Sequence, residues 1–143
     1  MNSYHCLICD KSITPKVYHD SLIYYEAPLC FPHRRMIDES RATPHAMKLY
    51  FALRLNKIPV ILNYKDETKI FDIALPGQLY IEMNGQSQQD ADKAFSDLFG
   101  KKYSLKENIP TLSIPNSLII DELRFSKVLT RIIEMCSDLK KTA

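Results

Sequence analysis

No run of apolar residues in this chain approaches the roughly 20 positions needed to cross a bilayer, so no membrane span is expected. The first ten residues, MNSYHCLICD, lack the layout of an export signal. Charge of one sign is scarce as well. Nineteen Lys and Arg against 17 Asp and Glu leave a net charge of +2, too little to mark a nucleic-acid binder by itself. Any contact with DNA needs Lys and Arg clustered locally. The chain has no internal repeat, low-complexity segment or recognisable linker. Its cysteines do not form a disulfide framework, because three of the four fall in metal-ligand spacing. With no export signal, the reducing cytoplasm is the expected location, where thiols stay free to bind metal.

What is present fits one ordinary domain with a small appended module. The 143 residues are 45% hydrophobic and 25% charged, which is a globular composition. Cys6-x2-Cys9 is followed, after twenty intervening residues, by Cys30-x2-His33. Two short ligand pairs on either side of a loop of that length are the spacing of a Cys3His zinc site. Each pair is expected in a tight turn, with the intervening VYHDSLIYYEAPL as one or two short strands. His5 and His19 are alternatives to His33, although neither lies in a matching pair. A segment this small needs a staple, and a closed four-ligand zinc contributes folding energy rather than chemistry. Residues 1–40 are therefore read as the zinc module and 41–143 as the core, with the boundary between Met36 and Ala42.

In the core, Thr43 as N-cap and Pro44 at the first helical position start a helix. Ala46, Leu49, Tyr50 and Leu53 form its stripe, and Asn56 with Pro59 ends it. Residues 58–64, IPVILNY, read as a strand entering the core sheet. Phe71, Ile73 and Leu75 then alternate on one face of a second strand, with Asp72 and Ala74 opposite. After Pro76-Gly77 come Leu79, Ile81 and Met83 on one face of a third strand, with Tyr80, Glu82 and Asn84 on the other. A hairpin folded about Gly77 places Asp72 directly across from Glu82 on a polar face. Like charges opposite one another destabilise a sheet, so the pair points to a divalent cation held between them. A helix is expected from Asp90, ending at Gly100 or continuing through KKYSLKE to about Asn108. A short strand follows at Thr111–Ile114. The final helix spans Asp121 to Lys140, with Phe125, Val128, Leu129, Ile132, Ile133, Cys136 and Leu139 on its stripe and Cys136 in the core.

This order resembles the PD-(D/E)XK nuclease superfamily, in the branch that includes the very-short-patch repair endonucleases. The resemblance is carried by Ala42-Thr43-Pro44 leading into Lys48-Leu49-Tyr50, by Lys69-Ile70-Phe71-Asp72-Ile73, and by Leu79-Tyr80-Ile81-Glu82-Met83-Asn84-Gly85. Asp97-Leu98 and Thr111-Leu112-Ser113-Ile114-Pro115-Asn116-Ser117 complete it. The Cys6/Cys9 pair and Leu29-Cys30-Phe31-Pro32-His33 look like a zinc module that precedes this core in a group of bacterial proteins. The resemblance implies a restriction-endonuclease-like α/β/α core with a mixed central sheet. It also implies Mg2+ or Mn2+ held by Asp72, Glu82 and the carbonyl of Met83, and a lysine that positions the attacking water.

The chain departs from that pattern in named places. Asn84 stands where the lysine two residues after the glutamate belongs, and where that branch often has Asp before the glycine. His45 stands near the place where the family often has a helical glutamate that helps bind metal, and GQSQQ replaces a histidine after the glycine. Lys93 is the candidate for a lysine relocated to the following helix. Lys101, Lys102 and Lys106 with Arg34, Arg35 and Arg41 are candidates to follow a nucleic-acid backbone, or simply a solvated face. The expected function is a metal-dependent endonuclease acting on DNA in preference to RNA. The alternative is a catalytically inactive nuclease-fold protein that binds nucleic acid or a protein partner. A homodimer is left open.

Overall fold

The structure is a computed structural model that describes residues 4–67, 69–84, 88–100, 104–106 and 108–142. The chain divides into two compact units, Met1–Arg41 and Ala42–Ala143.

The first unit opens with a tight hairpin. The Cys6 amide donates to the Lys11 carbonyl and the Ile13 amide to the Tyr4 carbonyl, both at 2.9 Å, around a turn in which Asp10 takes a left-handed φ of 61°. Helix α1 (Pro15–Tyr25) follows, and then helix α2 (Phe31–Ser40). The expectation of strands between the two ligand pairs is therefore corrected, since that segment is helical. Thr14 accepts the Val17 amide at 3.2 Å and Pro15 fills the first turn. Those residues make the same start signal as Thr43-Pro44, and it outweighs the β-branched and aromatic content of VYHDSLIYY. The helix ends where Glu26 turns left-handed, at φ 59°.

The second unit is mixed α/β. Helix α3 (Pro44–Leu55) starts on Thr43, whose hydroxyl accepts the Ala46 amide at 3.2 Å, and is capped at its end by Asn56. Its expected stripe, Ala46, Leu49, Tyr50 and Leu53, is fully buried. Strands β1 (Ile61–Lys65), β2 (Ile70–Leu75) and β3 (Leu79–Asn84) run antiparallel in sequence. Strand β1 starts three residues later than expected, after Pro59, and joins the sheet at its edge. Helix α4 (Gln88–Phe99) crosses to β5 (Ile109–Pro115), which pairs parallel to β3. A short β4 (Ser104–Lys106) pairs antiparallel on the outer side of β5, giving the order β1-β2-β3-β5-β4. This corrects the reading of KKYSLKE as a helical continuation over Ser104–Lys106. The rest of that segment lies outside the described residues.

Helix α5 (Ser117–Ile120) leads into α6 (Glu122–Thr142), which Asp121 caps by accepting the Leu123 and Arg124 amides at 3.0 and 3.1 Å. On α6, Phe125, Val128, Ile132, Met135 and Cys136 are buried. Cys136 is core, as its stripe position implies. At roughly 1.5–3 kcal/mol for each fully buried large apolar side chain, this stripe and that of α3 supply much of the packing energy of the second unit, with α6 lying against α3, α4 and α5. Helix α3 packs on β2, and α4 and α5 pack on β5. No helix among the described residues is long and apolar enough to cross a membrane.

Candidate functional site

Two groups of chemistry-bearing side chains are brought together, one in each unit. In the first unit, Cys6, Cys9, Cys30 and His33 converge, with their ligand atoms all within 4.8 Å of one another. The separations are 3.8 Å between the Cys9 and Cys30 sulfurs, 3.5 Å from Cys6 Sγ to His33 Nδ1, and 3.2 Å from Cys30 Sγ to His33 Nδ1. An ion bound tetrahedrally at about 2.3 Å to sulfur and 2.0–2.1 Å to nitrogen has edges of about 3.8 Å between sulfurs and about 3.6 Å from sulfur to nitrogen. The donor set therefore fits a tetrahedral metal ion once its widest separations, which reach no more than 4.8 Å, draw in by up to about 1 Å. Cys6 and Cys30 are buried and Cys9 is exposed.

The local fold explains why four ligands separated in sequence meet. Cys6 and Cys9 flank the tight hairpin turn, where the Asp10 amide donates to the Cys6 carbonyl at 2.9 Å. Cys30 occupies the N-cap position of α2, so His33 falls in that helix's first turn. The loop between α1 and α2 is fixed from two sides. The Leu7 amide donates to the Pro28 carbonyl at 2.7 Å. Ser21, wholly buried on α1, donates from Oγ to the Ala27 carbonyl at 2.6 Å and accepts the Leu29 amide at 2.9 Å. One hydroxyl thus sets the backbone on both sides of Pro28 and positions Cys30. Sequence reasoning missed Ser21, because a single serine on a helix carries no distinguishing signal. Arg34 ties α2 to α1, donating to the Val17 carbonyl at 2.6 Å and lying 5.0 Å over the Phe31 ring.

Backbone amides around the sulfurs favour thiolates. Burial opposes ionisation of Cys6, but the amides of Cys30, Cys9 and Ile8 together hold its thiol below the ordinary range. Burial pushes the Cys30 thiol up, as do the neighbouring Cys6 and Cys9 sulfurs, while the His33 amide pulls the other way. The two alternative histidines have other work. His5 Nδ1 lies 3.0 Å from the Asp10 carbonyl and braces the hairpin turn. His19 packs edge-on against Tyr4 and Tyr18.

In the second unit, β2 and β3 pair as Ile73 with Ile81, Ala74 with Tyr80 and Leu75 with Leu79. The fold point is Gly77, whose φ of +75° is one that glycine adopts without strain. One rung beyond the last recorded pair, this register sets Asp72 opposite Glu82. The ladder does not continue regularly there. The Asp72 carboxylate accepts the Met83 amide at 2.7 Å, taking a donor that the ladder would otherwise use. On the neighbouring strand Asn63 is left-handed, at φ 50°.

The alternation of β2 breaks at the same place. Phe71 was expected on the face of Ile73 and Leu75. Instead it stacks flat on Tyr80, with centroids 4.3 Å apart and planes 4° apart, and clusters with Ala74. Tyr64 extends the stack at 6.0 Å from Tyr80. The expected polar face is accordingly aromatic and buried as far as Tyr80. Beyond Tyr80 on that face comes Glu82, about a quarter exposed, in an ion pair with the Lys69 ammonium, which also lies 5.7 Å from the Phe71 ring. The sequence reading takes Lys69 only as the start of the run that leads into Asp72 and gives the lysine role to Lys93 instead; the pairing of Lys69 with Glu82 was not foreseen.

Lys93 lies exposed on α4, and among the described residues no ion pair joins it to either carboxylate. His45 is placed on α3, in its first turn. Among the described residues no third carboxylate, histidine or cysteine joins Asp72 and Glu82 in a metal-sized cluster. Asn84 ends β3, and its side chain lies outside the described set, as do those of Lys101, Lys102 and Lys106. No protein-family model, no curated protein and no solved structure matches the chain.

Proposed function

We propose that the chain is a metal-dependent endonuclease of the PD-(D/E)XK type acting on DNA, with a structural zinc in its N-terminal module. The observation that carries the reading is the hairpin register, which brings Asp72 and Glu82 to adjacent strands with the Lys69 ammonium on Glu82. The order of elements supports it: a helix, three antiparallel strands, and a crossover helix to a strand parallel to the third is the order expected of an α/β/α nuclease core. The carboxylates also lie where open α/β sheets tend to carry their sites, with Glu82 toward the carboxyl end of β3, the strand that pairs parallel with β5. In this reading Asp72 and Glu82 hold Mg2+ or Mn2+, which supplies charge neutralisation at the phosphate and a bound water of lowered pKa. Lys69 takes the water-positioning role assigned by sequence to Lys93. Zinc fits the Cys3His group by donor chemistry and by the tetrahedral edges.

One observation favours a second reading. Both carboxylates already have partners inside the protein, Asp72 in the Met83 amide and Glu82 in Lys69, and no third acidic ligand joins them among the described residues. A non-catalytic nuclease-fold protein that binds nucleic acid or a protein partner would have this arrangement. Nicking of supercoiled plasmid in Mg2+ or Mn2+ separates the two. The nuclease reading expects cleavage by the wild type that is lost in Glu82→Ala and falls about 100-fold or more in Lys69→Met, while Lys93→Met stays near wild type. Folded, zinc-loaded wild type that leaves duplex, nicked, branched and single-stranded substrates intact supports the second reading instead.

A further inference from the structure

We infer that the Cys3His centre is also a peroxide-sensitive site, at which Cys9 and Cys30 form a disulfide and release the metal. The inference rests on the metal reading of the four ligands. Three of them are sheltered to some degree, but Cys9 stands exposed at one corner of the cluster. A hydroperoxide reaching the site from solvent meets that sulfur first, and oxidation of thiolates follows exposure. The sulfur placed to resolve the product is that of Cys30, at 3.8 Å. Closing that gap to a bond of about 2.05 Å needs a shift of under 2 Å, shared by a surface turn and the first residue before α2.

The chemistry balances without another reactant. The Cys9 thiolate attacks one oxygen of hydrogen peroxide, the O–O bond breaks, and hydroxide leaves, so that sulfur is oxidised to the sulfenic acid and peroxide is reduced. The Cys30 thiolate then attacks the Cys9 sulfur, the S–O bond breaks and a second hydroxide leaves, giving the disulfide. The ion keeps only Cys6 and His33, too few ligands to hold it in a closed site. The new bond joins the turn to the start of α2, the same two segments that the metal joins. The module therefore stays tethered when oxidised, and a dithiol with added zinc reverses the change.

The test uses the full chain, purified without chelator and assayed for zinc before and after titration with hydrogen peroxide. A chromogenic chelator reads the released metal, and non-reducing peptide mapping locates the disulfide. The inference expects about one zinc per chain released, together with a Cys9–Cys30 disulfide that a dithiol reverses. Cys136→Ser should respond as the wild type does. Cys9→His, which restores a nitrogen ligand at the exposed corner, should release zinc at least about tenfold more slowly. Protein isolated without zinc overturns the metal reading and this inference together. Zinc-loaded protein that keeps its metal under peroxide, or maps its disulfide to Cys6–Cys9, overturns this inference alone.

Discussion

Replacing Ser21 with alanine removes one oxygen atom and leaves two backbone groups without a partner. The Ala27 carbonyl and the Leu29 amide both bond to Ser21 Oγ, and all three residues are essentially inaccessible to solvent. An unsatisfied buried group costs about 1–3 kcal/mol, so Ser21→Ala should cost about 2–4 kcal/mol after the loop relaxes. The module has few residues with which to absorb such a loss, and on the metal reading its folding is coupled to metal binding. The loss should therefore appear as weaker apparent zinc affinity. At about 1.4 kcal/mol for each factor of ten, it corresponds to a drop of about 30- to 700-fold. Competition against a chelator of known zinc affinity measures it directly. Ser12→Ala, at an exposed position in the same unit, should change affinity by less than about 0.5 kcal/mol. If Ser21→Ala stays within about threefold of wild type, the claim that this hydroxyl positions Cys30 is refuted.

Asp72 has a structural role that can be separated from any metal role. Asp72→Ala orphans the Met83 amide and should cost about 1–2 kcal/mol in a denaturant titration. Asp72→Asn keeps an acceptor there and should cost less than half as much, while abolishing metal-dependent cleavage. Equal destabilisation by both variants would show that the bond to Met83 depends on the charge. Acid should strip the metal. In the absence of metal the Cys30 thiol is pushed up by burial and is protonated before the Cys6 thiolate, which is held low, as the pH falls. Binding is thus favoured at higher pH and lost on acidification. Dialysis through a descending pH series with zinc analysis at each step checks the direction, and metal lost on raising the pH instead would contradict it.

The parts of the chain that were legible are those where one local signal had no competitor. The two ligand pairs fixed the metal group because few side chains other than cysteine and histidine at that spacing serve the same purpose. Thr43-Pro44 marked α3, and Gly77 marked the hairpin's fold point, because both are backbone requirements written in residue type. At α1 the expectation followed residue type and missed the start signal. The strand reading of VYHDSLIYY took no account of Thr14-Pro15, whose cap and first-turn proline start a helix there. The face of Phe71 was not legible, because alternation assumes an unbroken ladder. The side chain of Asp72 breaks it by taking the Met83 amide. The contact of Lys69 with Glu82 and the role of Ser21 were missed for a related reason. Each residue acts through a contact made in space, with Glu82 and with the Ala27–Leu29 loop, and neither contact leaves a spacing to read.

A crystal of the full chain soaked in Mn2+, with anomalous maps collected at the zinc and manganese edges, separates the nuclease reading from its alternative. Zinc is expected at Cys6, Cys9, Cys30 and His33, and manganese between Asp72 and Glu82 with the Lys69 ammonium displaced from Glu82. Zinc at the first site with no manganese at the second, and Lys69 still paired to Glu82, would contradict the nuclease reading.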